Sequence, residues 1–163
     1  MENRQYWLAL FTATTWQEFV ELGAEVYGFN QRYFVTALRT KPGDYFICYV
    51  AGVSRFVGVL EIVSPSYYDT TQIFSFDIYP VRLKVKVVEA LDLETAVPVK
   101  ELSSQLSMFQ NLKTPSSWAM HFRNSLKQWK ESDAKVVLDA LRKAKKSPVV
   151  RPVSKSQLTK EPQ

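Results

Sequence analysis

At 163 residues, 46% hydrophobic and 13% aromatic, the chain suits one compact domain with a real core. No run approaches the roughly 18 apolar residues of a membrane span. The opening MENRQYWLAL has no basic stretch leading into a long apolar one, so no membrane partner is expected and a cytoplasmic location is. The formal charge of +5 suggests an anionic partner, but residues 123–163 carry 11 Lys and Arg against 4 Asp and Glu, while residues 1–122 carry 10 against 12. The basicity therefore says little about the globular part.

In chain order, QYWLALF (5–11) reads as a strand, apolar almost throughout and so central in a sheet. TTWQEFVELGAEV then reads as a helix: Thr15 and Glu18 have capping-box spacing, and Trp16, Phe19, Val20 and Gly23 recur at helical intervals. Tyr27-Gly28-Phe29 is read as a turn, followed by a second short helix, NQRYFVTALRT, with Phe34, Leu38 and Ala37 facing inward. KPGD (41–44) is a turn with Pro and Gly at its second and third positions. YFICYVA (45–51) and RFVGVLEIVS (55–64) form a hairpin across a short connection.

A loop, 65–80, carries five aromatic residues and ends at Pro80. In VRLKVKVVEAL (81–91), Val81, Leu83, Val85 and Val87 alternate with Arg82, Lys84 and Lys86, the period of a strand with one buried and one wet, cationic face. A short helix is expected after Pro98, SSWAMHFRNSLKQW (116–129) is ambiguous, and ESDAKVVLDALRKAKK (131–146) is a last helix with Ser132 or Asp133 near its N-cap and basic residues in its final turn. From Ser147 on, Pro, Ser and Lys without periodicity read as a flexible basic linker or tail (147–163), which suggests a domain taken from a longer protein. One domain, 1–146, precedes it. The order of elements gives an α+β fold with a strongly curved sheet or small barrel and helices packed outside.

Cys48 and His121 are the only residues of their kinds, so an internal disulfide and a four-ligand zinc site are both out of reach, and Cys48 reads as a small buried hydrophobe. No phosphate-cradling glycine loop and no G-x-S-x-G elbow occur. Asp69 and Asp77 lie in a loop without the rest of a nuclease set, and Glu61 is expected to face solvent. A catalytic role, a metal and a cofactor are therefore not expected. The positive signal is aromatic. Tyr27 and Phe29 flank Gly28, Tyr79 precedes the cationic strand, and Trp118 stands in SSWAMHF. A flat heteroaromatic ligand needs faces to stack on and edge partners, for which Asn30 and Thr12 are candidates. Arg82, Lys84 and Lys86, with Arg32, Arg55, Arg123 and Lys127, are the candidate phosphate contacts.

Taken together, YWLALF, VYGFNQR, LRTKPGDYFICYV, FVGVLEIVSPSYYD and WAMHF, in that order, resemble the EVE domain of the PUA-like superfamily, a relative of the YTH domain, over roughly residues 6–143. The resemblance implies a curved sheet or pseudobarrel ringed by helices and a pocket for a modified base. YTH relatives cage N6-methyladenine, and some EVE-like domains serve as the DNA-locating part of McrB-type modification-dependent restriction proteins. It puts Tyr27 at a cage position and Phe11 and Thr12 where the pocket's polar groups arise, Phe11 being a departure. A second cage ring falls loosely on Tyr79 or Trp118. Where EVE proteins often have GVRN, this chain has GFNQ. The implied partner is DNA carrying a modified base, N6-methyladenine ahead of modified cytosine, flipped into the pocket on behalf of a motor or nuclease. RNA carrying such a base, a small molecule or another protein are the alternative partners, and a minimal nuclease is a third class.

Overall fold

The computed structural model describes residues 3–112 and 114–159. Strands β1 (Tyr6–Phe11), β2 (Val26–Phe29), β3 (Tyr45–Val50), β4 (Arg55–Ile62), β5 (Tyr67–Tyr68), β6 (Val81–Ala90), β7 (Val97–Pro98) and β8 (Lys127–Trp129) form one sheet. The path runs β2-β6-β4-β3-β1-β8, with β5 also on β6 and β7 on β4. Helices α1 (Ala13–Glu21), α2 (Phe34–Ala37), α3 (Glu131–Lys146) and α4 (Lys155–Leu158), with several 3-10 turns, surround it. The curved α+β architecture expected from the sequence is the one observed.

Neighbouring strands run antiparallel except β1 and β3, which pair in parallel. Strand β6 gives the sheet its curl. Val85–Ala90 pair with β4, across a register shift at Val59/Leu60, whereas Val81–Lys84 pair with β2. Such a shift bends the strand and tightens its twist. Both faces of the central strands are covered, which explains why β1 and β3 are apolar without alternation. Trp7, Ala9, Phe11, Phe46, Cys48 and Val50 face the inner cluster with Trp16 and Phe19 of α1. Tyr6, Leu8, Ile47 and Tyr49 face the outer one with Ala134, Val137 and Leu141 of α3. Cys48 is a small buried core residue, and burial pushes its thiol pKa up.

Four local readings need correction. Val26–Phe29 is not a turn but the edge strand β2, four residues long and held by β6. Helix α1 starts earlier than Thr15: Thr12 is its N-cap, in a reciprocal box with Thr15. In α2 only Ala37 is buried, while Phe34 and Leu38 are 45% and 61% exposed. One helical turn has no second turn to extend an apolar stripe, and Phe34 instead meets Tyr68 edge-on, 6.2 Å between centroids. At α3 the N-cap is Lys130, and Asp133 accepts hydrogen bonds from Ser107 N and Oγ.

The segment after Ser147 also departs from a free linker. Arg151 N donates to Glu94 O at 2.8 Å, and its guanidinium meets both Glu101 oxygens at 2.8 and 2.9 Å. Val153 packs on the inner cluster, and Ser154 caps α4 through Gln157 N. The last four residues of the expected tail, 160–163, lie outside the described residues.

The KPGD turn fastens the first strand to the sheet. Gly43, at φ +98°, makes the reversal, a conformation that side chains rarely adopt. The Asp44 carboxylate, only 2% exposed, accepts from Gln5 N, Lys41 N and Trp7 Nε1, each at 3.0 Å. Asp44→Ala strands the indole and amide donors in the interior and should cost about 3 kcal/mol. Urea unfolding checks this: the midpoint is expected to fall with the slope unchanged.

Candidate functional site

A slot opens where β1 passes into α1. Its floor is made by Phe11 and Tyr27, one side by Thr15, Glu18 and Phe19 of α1, and the other by Phe74 and Tyr79 from the 69–80 loop. Asn30, Arg32, Tyr33 and Ser125 close its end. Its free volume is about 80 Å³, several times the roughly 10–15 Å³ that admits one water.

The floor is rigid. The Phe11 and Tyr27 rings stack at 4.6 Å, and Phe29 meets Tyr27 edge-on at 4.5 Å. The Tyr27 hydroxyl donates to Leu10 O at 2.7 Å, and the residue is only 7% exposed. Burial pushes its phenol pKa up, so the group stays a neutral donor. Tyr27 is thus a fixed floor ring, not a free wall with two open faces. The polar groups are also partly committed. Thr12 Oγ1 accepts from Thr15 N at 3.2 Å as the cap of α1. Asn30 Oδ1 accepts from Arg32 N at 3.0 Å, leaving its amide NH₂ group uncommitted among the described residues.

The loop wall is held from beneath. Arg82, 2% exposed, donates from Nε to Tyr79 O at 3.1 Å and from Nη2 to Ile78 O at 3.0 Å and to Thr71 O. Its Nη1 lies 3.5 Å from Asp69 Oδ1, and its guanidinium sits 5.5 Å from the Phe74 ring centroid. From above, both Glu18 carboxylate oxygens accept from Ser75 N at 3.0 Å. Gly28 makes the approach possible. A Cβ there would lie 2.7 Å from Phe74 Cε2, 2.8 Å from Tyr79 Cβ and 2.9 Å from Tyr79 O. The glycine between two aromatic residues therefore admits the loop, rather than the edge of a ligand.

Two non-glycine residues beside the slot hold left-handed backbone, Tyr79 at φ 47° and Leu126, next to Ser125, at φ 56°. Such strain persists only where surrounding contacts over-determine it. The Tyr79 phenol is pushed up to about 12 by burial, with the charges of Asp77 and Glu18 adding. It remains protonated at neutral pH, and its ring is T-shaped against Phe74 at 5.7 Å.

Seven of the eight candidate base contacts (Phe11, Thr12, Tyr27, Gly28, Phe29, Asn30 and Tyr79) line this slot, and Arg32 joins them. Trp118 does not: it packs beside Phe109 and Phe122 at the outer cluster, with centroids 6.2 and 6.1 Å away. Phe74, Glu18 and Ser125 escaped the sequence reading. Phe74 stood among five loop aromatics with no period to single it out, and Glu18 was assigned to a capping box that Thr12 and Thr15 form.

The candidate phosphate contacts divide. Arg32 and Arg123, both exposed, line a wider groove of about 770 Å³ that adjoins the slot through shared residues Ala51 and Phe122. Lys84 and Lys86 are exposed on β6 but line neither cavity, and Lys86 lies 3.6 Å from half-buried Glu61. Lys127 donates to Met120 O at 3.1 Å. Arg55 and Arg82 are withdrawn from the surface. Arg55, 6% exposed, donates to Leu93 O and Arg151 O, each at 2.8 Å. Burial, followed by the nearby Arg151 charge, lowers its pKa. Among the described residues no group of three or more His, Cys, Asp or Glu is placed to hold a metal, and no helix is long and apolar enough to cross a membrane.

Comparison with known proteins adds family and fold. The model of the EVE domain matches residues 5–140. The UPF0310 protein PYRAB08750 of Pyrococcus abyssi is 30% identical over 145 residues, covering 81% of this chain and 96% of that protein. Among solved structures, the Mmi1 YTH domain in complex with RNA superposes with a TM-score of 0.64 at 10% identity, over 91% of this chain and 84% of that one. The YTH domain of the Zygosaccharomyces rouxii MRB1 protein, in complex with N6-methyladenosine RNA, gives 0.59 at 13% identity, over 94% and 91%.

Gly28→Ala tests the packing that makes the slot. The added methyl should cost about 1–3 kcal/mol and drive the 69–80 loop outward. Hydrogen exchange reads this directly: the Ser75 amide is expected to lose protection while amides in β3 keep theirs. Unchanged protection at Ser75 would mean that the loop is not seated through Gly28.

Proposed function

The chain belongs to the EVE domain family, and from that premise we propose that it is a nucleic-acid-binding module that takes one modified base, flipped from its strand, into the aromatic slot. The observation that carries this reading is the slot itself: aromatic rings from β1, β2 and the 69–80 loop around a free volume of about 80 Å³, beside a groove bearing Arg32 and Arg123. Stacking on aromatic side chains contributes about 1–3 kcal/mol per base. That offsets an unstacking cost of a few kcal/mol, which is smallest for a base already weakly paired. A methyl group enclosed by the rings adds about 0.8 kcal/mol. Arg32 and Arg123 supply sequence-independent phosphate contacts.

The favoured base is N6-methyladenine, with modified cytosine next. The target is DNA, and the module delivers a motor or nuclease of a restriction system to it while doing no chemistry itself. An RNA target is the second reading, favoured by the RNA in the complexes of the similarly folded Mmi1 and MRB1 YTH domains.

Fluorescence polarisation with matched oligonucleotides tests the proposal. DNA and RNA would each carry one adenine, N6-methyladenine, 5-methylcytosine or 5-hydroxymethylcytosine, at two salt concentrations. The expected result is a preference for N6-methyladenine DNA of at least about tenfold, or 1.4 kcal/mol. Phe74→Ala should erase that preference, and Trp118→Ala should keep it. Arg123→Ala should weaken all oligonucleotides alike and reduce the salt slope by about one. Equal, salt-sensitive binding to every oligonucleotide would overturn the reading.

A further inference from the structure

The slot carries one group that aromatic stacking leaves unexplained. Glu18, half-buried on α1, is the one carboxylate among the described residues that line it. Both of its oxygens already accept from Ser75 N at 3.0 Å, which fixes the carboxylate plane. An ionised carboxylate offers about four acceptor positions, so one shared amide leaves acceptor capacity unused. Among the other polar groups lining the slot, the Arg32 guanidinium and the Asn30 NH₂ can only donate. The hydroxyls of Thr15, Tyr79 and Ser125 can each donate or accept, and the Asn30 oxygen is occupied by Arg32 N. Glu18 can only accept.

We infer that Glu18 is a specificity-determining residue that reads the group on purine C6 or pyrimidine C4, selecting the amino donor that adenine and cytosine carry there over the carbonyl oxygen that guanine and thymine carry there. This rests on the base-binding reading above. The physical basis is asymmetric: an N–H on the base meets a charge-assisted acceptor, whereas a carbonyl or ether oxygen in the same place leaves a desolvated carboxylate facing a lone pair. Carboxylate side chains make the same choice when they accept from the cytosine amino group in the major groove. Because Ser75 holds the carboxylate before any ligand arrives, little ordering remains to be done on binding.

The test compares two oligonucleotides identical except at one residue. One carries N6-methyladenine; the other carries 6-methoxypurine, which keeps the methyl and the ring but replaces N6–H by oxygen. The native chain should bind the first at least about tenfold more tightly, since a site built to accept an N–H rejects the analogue lacking it. In Glu18→Gln the amide oxygen can still accept from Ser75 N, while the new NH₂ can donate to the ether oxygen. The ratio should therefore shrink to about threefold or less. If the variant weakens both oligonucleotides equally and keeps the ratio, Glu18 merely holds the loop and the inference falls. It falls too if the native chain binds both probes equally yet still prefers N6-methyladenine to adenine, and base reading then stands without Glu18. If the native chain binds every oligonucleotide equally, modified or not, both are overturned.

Discussion

A guanidinium that is 2% exposed has to be satisfied inside the protein, and the way Arg82 is satisfied determines the rest of the site. Its donors go to the carbonyls of Thr71, Ile78 and Tyr79, with Asp69 at the margin. An irregular loop of about a dozen residues would ordinarily be mobile and water-facing. Here three of its carbonyls and one of its carboxylates converge on a single buried cation. The loop is thereby pulled over the β2–β6 edge, Phe74 enters the space that Gly28 leaves, and Tyr79 takes a left-handed backbone. Without that buried cation the slot would have a floor but only one wall.

The curvature of the sheet sets where the floor lies. Strand β6 serves β4 with one half and β2 with the other, so β2 folds back over the end of β1 and brings Tyr27 onto Phe11. Side chains from β1, α1, β2, the 69–80 loop and Ser125 meet at one point although they are far apart in sequence. Most of their polar atoms are already tied to neighbours: Thr12 to Thr15, Tyr27 to Leu10, Glu18 to Ser75. The site is preorganised, which lowers the ordering cost of taking a ligand.

Much of this was legible in the sequence. The apolar runs of β1 and β3 and the alternation in β6 as far as Val85 require a sheet with particular buried faces, although Val87, expected on the buried face, is 44% exposed, and α3 spans the expected residues 131–146. Arg82, Lys84 and Lys86 do share one face of β6. What alternation could not reveal is that a loop without any period covers the first of the three and turns it from a phosphate contact into a structural anchor. Arg55 went the same way, because the carbonyls that capture it come from Leu93 and from Arg151, 96 residues later. Tyr27-Gly28-Phe29 looked like a turn because glycine interrupts a strand pattern. In fact a four-residue strand uses that gap for a close approach.

The most direct test of the account is the structure of this chain bound to an oligonucleotide bearing one N6-methyladenine. The base should be extruded from its strand and seated over Phe11 and Tyr27 beneath Phe74 and Tyr79, with the neighbouring phosphates along Arg32 and Arg123. A base that stays stacked in its strand, or an oligonucleotide bound on another face while the slot is unchanged, would contradict it.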